Sequence, residues 1–70
     1  MPIVIAPLDT ELTIVKVNTD EKTEKHLQSL GIVTNGKLKV ITSNHGNVII
    51  EVKNVRLALN KDVATKIFVA

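Results

Sequence analysis

The stretch GIVTNGKL, Gly31 to Leu38, carries two glycines five positions apart and then a lysine. This nearly matches the phosphate-binding loop G-x-x-x-x-G-K-[ST], although Leu38 stands where that motif needs a Ser or Thr hydroxyl for the magnesium ion. The motif also needs a strand before it and a helix after it, so that the positive end of the helix dipole faces the phosphates. The order predicted below is the reverse. We therefore expect Gly31 to end a helix and Gly36 to make the turn into a strand, with no nucleotide bound.

Other residue types that could do chemistry are scattered. His26 and His45 lie far apart, and no third ligand follows either at a spacing typical of metal sites. Ser29 and Ser43 belong to no motif that activates a hydroxyl nucleophile. Carboxylates lie mostly at helix caps or on solvent-facing positions, which leaves no pair for acid–base catalysis. The sequence predicts no enzyme activity, no cofactor and no physiological metal site.

Length and composition restrict the chain further. Seventy residues allow one small domain, predicted to span residues 1–70. Cysteine is absent and the formal net charge is only +2, from nine basic and seven acidic side chains. Phe68 is the sole aromatic residue, so no stacking platform for bases is predicted. The apolar start of the chain is short and broken by Pro7, so we expect no signal peptide and no insertion into a membrane.

The first half of the chain predicts a strand and then a helix. The segment ELTIVKV (Glu11–Val17) is rich in β-branched residues, as strands are. Asn18 is placed as the helix N-cap, with Glu21 at the third helical position and Lys25 one turn later as its ionic partner. Gly31 follows where a left-handed residue would end the helix. The predicted apolar stripe of this helix consists of Thr23, His26, Leu27 and Leu30.

After Gly36 the period of the pattern changes to two, which predicts strands. Three strands follow one another, within KLKVITS, NVIIEVK and NVRLALN, and the first should place Leu38, Val40 and Thr42 on one face. The segment Asn44–Asn47 between the first two is predicted to be a hairpin turn. The predicted core is drawn from Leu30, Leu38, Val40, Ile50, Leu57 and Leu59.

The C-terminal segment is predicted to close the fold. Asn60 should cap a short helical turn ending by Lys66, and KIFVA returns as a last strand. Five short strands with one polar face favour antiparallel pairing and a curled sheet. The predicted class is all-β, a small SH3-like barrel, with one short α-helix between the first two main strands and a short helical turn near the C-terminus.

Two stretches together resemble the FeoA domain family of ferrous iron transport. They are LQSLGIVTNGKLKV (residues 27–40) and VRLALNKDVATKIFV (residues 55–69), and TIVKV (residues 13–17) matches the first strand of the family. The loop TSNHGN differs from the family's loop between the middle strands, and the glycine usual before the first strand is missing near LDTEL. The resemblance implies an SH3-like barrel. The matching motif positions are Leu30, Gly31, Gly36, Arg56, Leu57, Ala58 and Leu59.

What the resemblance implies about function is a cytoplasmic accessory protein that binds an FeoB-type transporter, a membrane protein with a cytosolic G domain. The predicted partner contacts are Lys25, Leu27, Gly31 and Arg56, of which Arg56 could instead pair with a carboxylate.

Two alternatives stay open. The first is a small nucleic-acid-binding barrel, suggested by a pI near 9.2 although the residues predict no nucleic acid as partner. The second is a free-standing relative of the C-terminal SH3-like domain of metalloregulators. Binding of ferrous iron as a chaperone is a third hypothesis, which the small number of ligands disfavours.

Overall fold

A computed structural model describes all residues 1–70. Five antiparallel strands form one sheet in the order β4-β3-β2-β1-β5, so the sheet curls without closing and β4 and β5 lie at its two ends. The predicted fold class is confirmed, including a helix between β1 and β2 and a helical turn before β5. Neither helix has the length and apolar character needed to cross a bilayer. The elements are a 3-10 turn Ile3–Ile5, β1 Glu11–Val17, α1 Glu21–Ser29, β2 Lys37–Asn44, β3 Asn47–Val52, β4 Val55–Leu59, α2 Lys61–Ala64 and β5 Ile67–Val69.

Helix α1 begins two residues later than the sequence predicted. Its N-cap is Asp20, whose carboxylate accepts a hydrogen bond from the Thr23 backbone N–H at 3.4 Å, and the prediction of Asn18 was wrong. Both residue types cap well, so the spacing to the apolar positions could not separate them. The predicted pair is present, with Lys25 Nζ 3.1 Å from Glu21 Oε1. Helix α2 is capped as predicted, because the Asn60 side chain accepts a bond from the backbone N–H three residues later.

The C-terminus of α1 has the geometry of a Schellman motif. Gly31 has a φ of +97°, and its N–H donates to the Gln28 carbonyl while the N–H of Ile32 donates to the Leu27 carbonyl. Ile32 and Leu27 are both buried in the core, which is the apolar contact that accompanies this motif. The prediction that Gly31 ends the helix is confirmed.

The turn into β2 is closed by Gly36, as predicted, because the Gly36 N–H donates to the Val33 carbonyl at 2.9 Å. The left-handed residue of this turn is Asn35, with a φ of +72°. Glycine is required at position 36 by close approach, because a Cβ there would lie 2.9 Å from the backbone oxygen of Val33. The order of helix and then strand around this loop is as predicted, and Lys37 Nζ donates a hydrogen bond to Thr13 Oγ1 at 2.6 Å.

Two tight hairpins join β2 to β3 and β3 to β4. The predicted turn between β2 and β3 is confirmed, and its central residues His45 and Gly46 both have positive φ. Lys53 and Asn54 between β3 and β4 also have φ of +52° and +67°. Positive φ at both central residues defines the type I′ turn, whose twist matches that of the flanking strands.

The core agrees with the prediction at four of its six positions: Leu38, Val40, Ile50 and Leu59 are buried. Leu57 is half-buried against this core. Leu30 was wrongly predicted, because it is the C-cap of α1 and remains 38% exposed while Ile32, beyond the glycine, fills the core instead. The prediction that Thr42 shares a face with Leu38 and Val40 was also wrong. The register shifts between Val40 and Thr42, and such an irregularity turns the following side chains to the other face.

Candidate docking surface

A shallow groove of about 350 Å³ lies between the C-terminus of α1 and the hairpin that joins β3 to β4. Val55 and Leu30 contribute its exposed apolar surface, since they are 56% and 38% accessible to solvent. A groove of this size can receive one or two side chains of a partner, and it is the one concavity of the chain with substantial apolar lining. Its lining consists of Gln28, Ser29, Leu30, Gly31, Val52, Lys53, Val55 and Leu57.

Gly31 allows the two sides of this groove to meet. A Cβ at this position would lie 3.1 Å from Val52 Cγ1 and 3.8 Å from Lys53 Cδ. The hairpin therefore packs directly over the backbone at the end of the helix, and its Lys53 side chain crosses the glycine. The glycine that ends α1 also forms part of the floor of the groove.

The opposite face of the sheet is charged. Adjacent strands place Glu11, Lys39, Glu51 and Arg56 side by side, so that the sign of the charge alternates across four strands. Arg56 Nε lies 3.9 Å from Glu51 Oε2, with the arginine side chain largely exposed. Opposite charges on directly paired residues stabilise a sheet and favour one register. The ion pair with Glu51 at the surface therefore explains the presence of Arg56 without a partner protein.

The four predicted contact residues do not form one patch. Gly31 lines the groove, whereas Lys25 and Arg56 do not contribute to its lining. Leu27 is only 3% exposed and belongs to the core, so its side chain supports the surface from below. Arg56 lies on the other face of β4 from the side chains of Leu57 and Val55, because successive residues of a strand alternate.

Sequence reasoning missed most of this surface, including the exposed side chains of Leu30, Val55 and Lys53. A signal for Leu30 was present, since the residue before a helix-ending glycine is the C-cap and lies at the end of the apolar stripe. Val55 is the first of three apolar residues that alternate along NVRLALN. It is exposed because β4 lies at the end of the sheet, which only the strand order shows.

The remaining chemical candidates lie outside this surface. His26 is exposed on α1 and His45 at the tip of the β2–β3 hairpin. No group of three His, Cys, Asp or Glu side chains is placed to hold a metal ion. One pKa is displaced. A hydrogen bond from the Thr23 side chain, assisted by the backbone N–H of the same residue, holds the pKa of Asp20 below its ordinary value of 3.8, although desolvation acts in the opposite direction. This carboxylate is accounted for as the helix cap.

Comparison with known proteins agrees with this architecture. A curated relative from Methanocaldococcus jannaschii, named Fe(2+) transport protein A, is 34% identical over 68 residues, which cover 97% of this chain and 83% of the relative. A crystal structure of an iron uptake regulatory protein, FeoA, superposes with a TM-score of 0.87 at 23% identity, covering 99% of this chain and 93% of that one. The solution structure of an FeoA protein from Chlorobium tepidum gives a TM-score of 0.83 at 19% identity, over 99% of this chain and 68% of that chain. The sequence model of the FeoA domain matches residues 1–70. With its fold and its full length both matched, the chain belongs to the FeoA domain family.

Proposed function

We propose that this chain is a cytoplasmic, non-catalytic accessory protein of ferrous iron transport, which binds the cytosolic part of an FeoB-type transporter. Membership of the FeoA domain family and the name of the curated relative support the role in iron transport. The observation that carries the proposal for this chain is the groove at the end of α1, with its exposed Leu30 and Val55. Exposed aliphatic side chains that line a concavity are typical of protein contact surfaces.

The residues favour binding over catalysis. Polar side chains that could act on a substrate lie apart, and the lysine of the loop GIVTNGKL donates to a threonine on the neighbouring strand. The transporter would handle both the metal ion and the nucleotide, while this chain supplies a contact. The accessory protein can control transport through such a contact if it binds two states of the transporter with different affinities. It does not need to catalyse a reaction to do so.

We expect the contact to be weak and transient. The chain measures only 28 × 23 × 20 Å, which limits the area it can bury in one interface. It contains no Trp or Tyr, the residues that most often anchor tight interfaces. The binding free energy must then come from aliphatic side chains, main-chain hydrogen bonds and complementary charge.

The test is binding of the chain to the FeoB-type transporter of the same organism in detergent, and separately to its soluble G domain. Low salt keeps the contribution of surface charge large. Retention of the wild-type chain by either form is the expected result, and retention by neither form rejects the proposal. Lys25→Glu and Arg56→Glu, each checked for folding, then test the predicted charged contacts. Equal retention of both variants removes these two residues from the contact and leaves the proposed function in place.

A further inference from the structure

The two ends of the sheet are treated differently. At the β5 end, the N-terminal segment covers the strand. The Met1 ammonium donates to the Val69 carbonyl at 2.8 Å, and the Val69 N–H donates to the Met1 carbonyl at 2.7 Å. Pro2 also pairs with Phe68. At the other end, β4 pairs with β3 alone. An uncovered edge strand presents a row of unpaired N–H and C=O groups that can pair with another chain.

The register identifies which groups of β4 are unpaired. The two-residue turn makes Val52 and Val55 a hydrogen-bonded pair, and in an antiparallel ladder such pairs recur at every second residue. Leu57 and Leu59 therefore bond to β3, while the N–H and C=O groups of Arg56 and Ala58 point away from the sheet. Neither residue makes another backbone hydrogen bond.

The groove lies along this open edge. Val55 and Leu57 of β4 form one of its walls, and Leu30 lies on the opposite side at the end of α1. A strand added to β4 would continue the alternation of side chains, so that every second residue would project on the face that carries the groove. Main-chain bonds at Arg56 and Ala58 and an aliphatic side chain in the groove can then be made by one extended segment.

Lys53 is the one charged side chain that lines the groove, and it also borders a second cleft that contains Glu11 and Glu51. Lys53 lines the groove and makes neither an ion pair nor a side-chain hydrogen bond, and none of the groove residues is acidic. Its backbone holds a φ of +52° in a type I′ turn, where glycine, asparagine and aspartate are favoured. A long basic side chain in this conformation suggests a role beyond the turn. A carboxylate is the complementary group.

We propose that β4 takes up an extended segment of the partner as a sixth strand, with an aliphatic residue of that segment in the groove and a carboxylate at Lys53. This inference rests on the proposed function and specifies how the contact is made. Addition of a strand to an open sheet edge obtains affinity from main-chain hydrogen bonds and specificity from pockets for alternate side chains.

The experiment compares variants for binding to the detergent-solubilised transporter, with affinity measured by biolayer interferometry. Ala58→Pro removes one outward N–H and breaks no bond inside the sheet, because proline is tolerated on an edge strand. Its matched control, Ala58→Thr, changes the side chain and keeps the N–H. Val55→Asp places a negative charge in the groove, and Leu8→Asp is its control at a similarly exposed aliphatic residue away from it. Circular dichroism checks the fold of each variant.

We expect Ala58→Pro and Val55→Asp each to weaken binding about tenfold or more, which corresponds to about 1.4 kcal/mol. Both controls should stay within about twofold of the wild type, a difference of about 0.4 kcal/mol. In addition, the amides of Arg56 and Ala58 should exchange hydrogen quickly in the free chain and slowly in the complex. This readout does not depend on any variant folding.

Three outcomes overturn the inference, and they are distinguishable. In the first, the wild type binds, folded Ala58→Pro and Val55→Asp bind with unchanged affinity, and the amides of Arg56 and Ala58 gain no protection from hydrogen exchange. This outcome rejects the added strand and leaves the proposed function in place. No binding by the wild type rejects the proposed function and the inference together. A dimer of the free chain in sedimentation, lost in Ala58→Pro, shows that a second copy of this chain occupies the edge.

Discussion

Replacement of Gly31 by alanine tests whether one residue both ends α1 and shapes the groove. Its φ of +97° is a conformation that residues with a Cβ rarely adopt, and the added Cβ would lie 3.1 Å from Val52 Cγ1. The Val52 side chain, which lines the groove, must therefore shift by a few tenths of an ångström, and the positive φ is strained for alanine whatever the space around it.

The magnitude follows from the backbone. Holding a non-glycine residue in such a conformation costs about 1–3 kcal/mol. A domain of this length is stable by about 4–10 kcal/mol in total, so a loss of about 2 kcal/mol is a large share. For small domains this corresponds to a fall of about 8–16 °C in Tm. Urea unfolding should show a lower midpoint with an unchanged slope, because the surface exposed on unfolding is nearly the same.

The matched variant is Gly31→Asn, since asparagine tolerates positive φ better than alanine and brings the same Cβ. A smaller loss for asparagine than for alanine is expected if the backbone conformation causes the cost. Equal losses would show that contact with Val52 dominates. A midpoint for Gly31→Ala within experimental error of the wild type would refute the assignment of Gly31 as a residue that requires positive φ.

Three further predictions concern the cap, the core and the loop. The pKa of Asp20 is lowered in the folded chain, so its contribution to stability is fully present above pH 3.8 and is lost as the pH falls through the folded value. Asp20→Asn keeps a capping group and should remove this part of the dependence of stability on acid pH. An unchanged loss of stability at acid pH in this variant would contradict the prediction. Leu38→Ala should cost about 2–5 kcal/mol in urea unfolding, whereas Leu30→Ala should cost clearly less because Leu30 is largely at the surface; a reversed order would mean that the core is wrongly placed. Calorimetry should detect no binding of ATP or GTP, and micromolar binding abolished by Lys37→Ala would overturn the structural interpretation of GIVTNGKL.

Much of the fold could be predicted because its local signals are strong. The bounds of β1 were predicted to the residue, since a β-branched run is enclosed by polar residues on both sides. The turn at His45 and Gly46 followed from its composition, and the end of α1 followed from Gly31. In each of these places one short-range preference has no strong competitor, so the sequence alone is sufficient.

The errors arose where two local solutions are close in energy or where long-range packing decides. Asn18 and Asp20 are both good caps, and a long-range contact distinguishes them, because the Asn18 N–H donates to the carbonyl of Lys66 beside β5. The register shift after Val40 leaves no clear trace in an alternating pattern, yet it moves Thr42 to the surface. The groove depended on tertiary structure, because α1 and the β3–β4 hairpin are separated along the chain and meet at Gly31.

The stability of the fold explains the residues on the charged face of the sheet more completely than it explains the residues of the groove. Across the charged face, Glu11, Lys39 and Glu51 alternate in sign on neighbouring strands, so that each carboxylate lies opposite a cation and helps to stabilise the sheet. The groove side has features that folding does not require: Val55 is exposed at 56%, and Lys53 holds a positive φ without an ionic partner. None of these features stabilises the isolated folded chain. This holds for the exposed aliphatic surface, for the cation without an ionic partner and for the strand edge without a neighbouring strand. Since these three features meet along β4 while the other end of the sheet is covered by the N-terminus, binding is the explanation that they share.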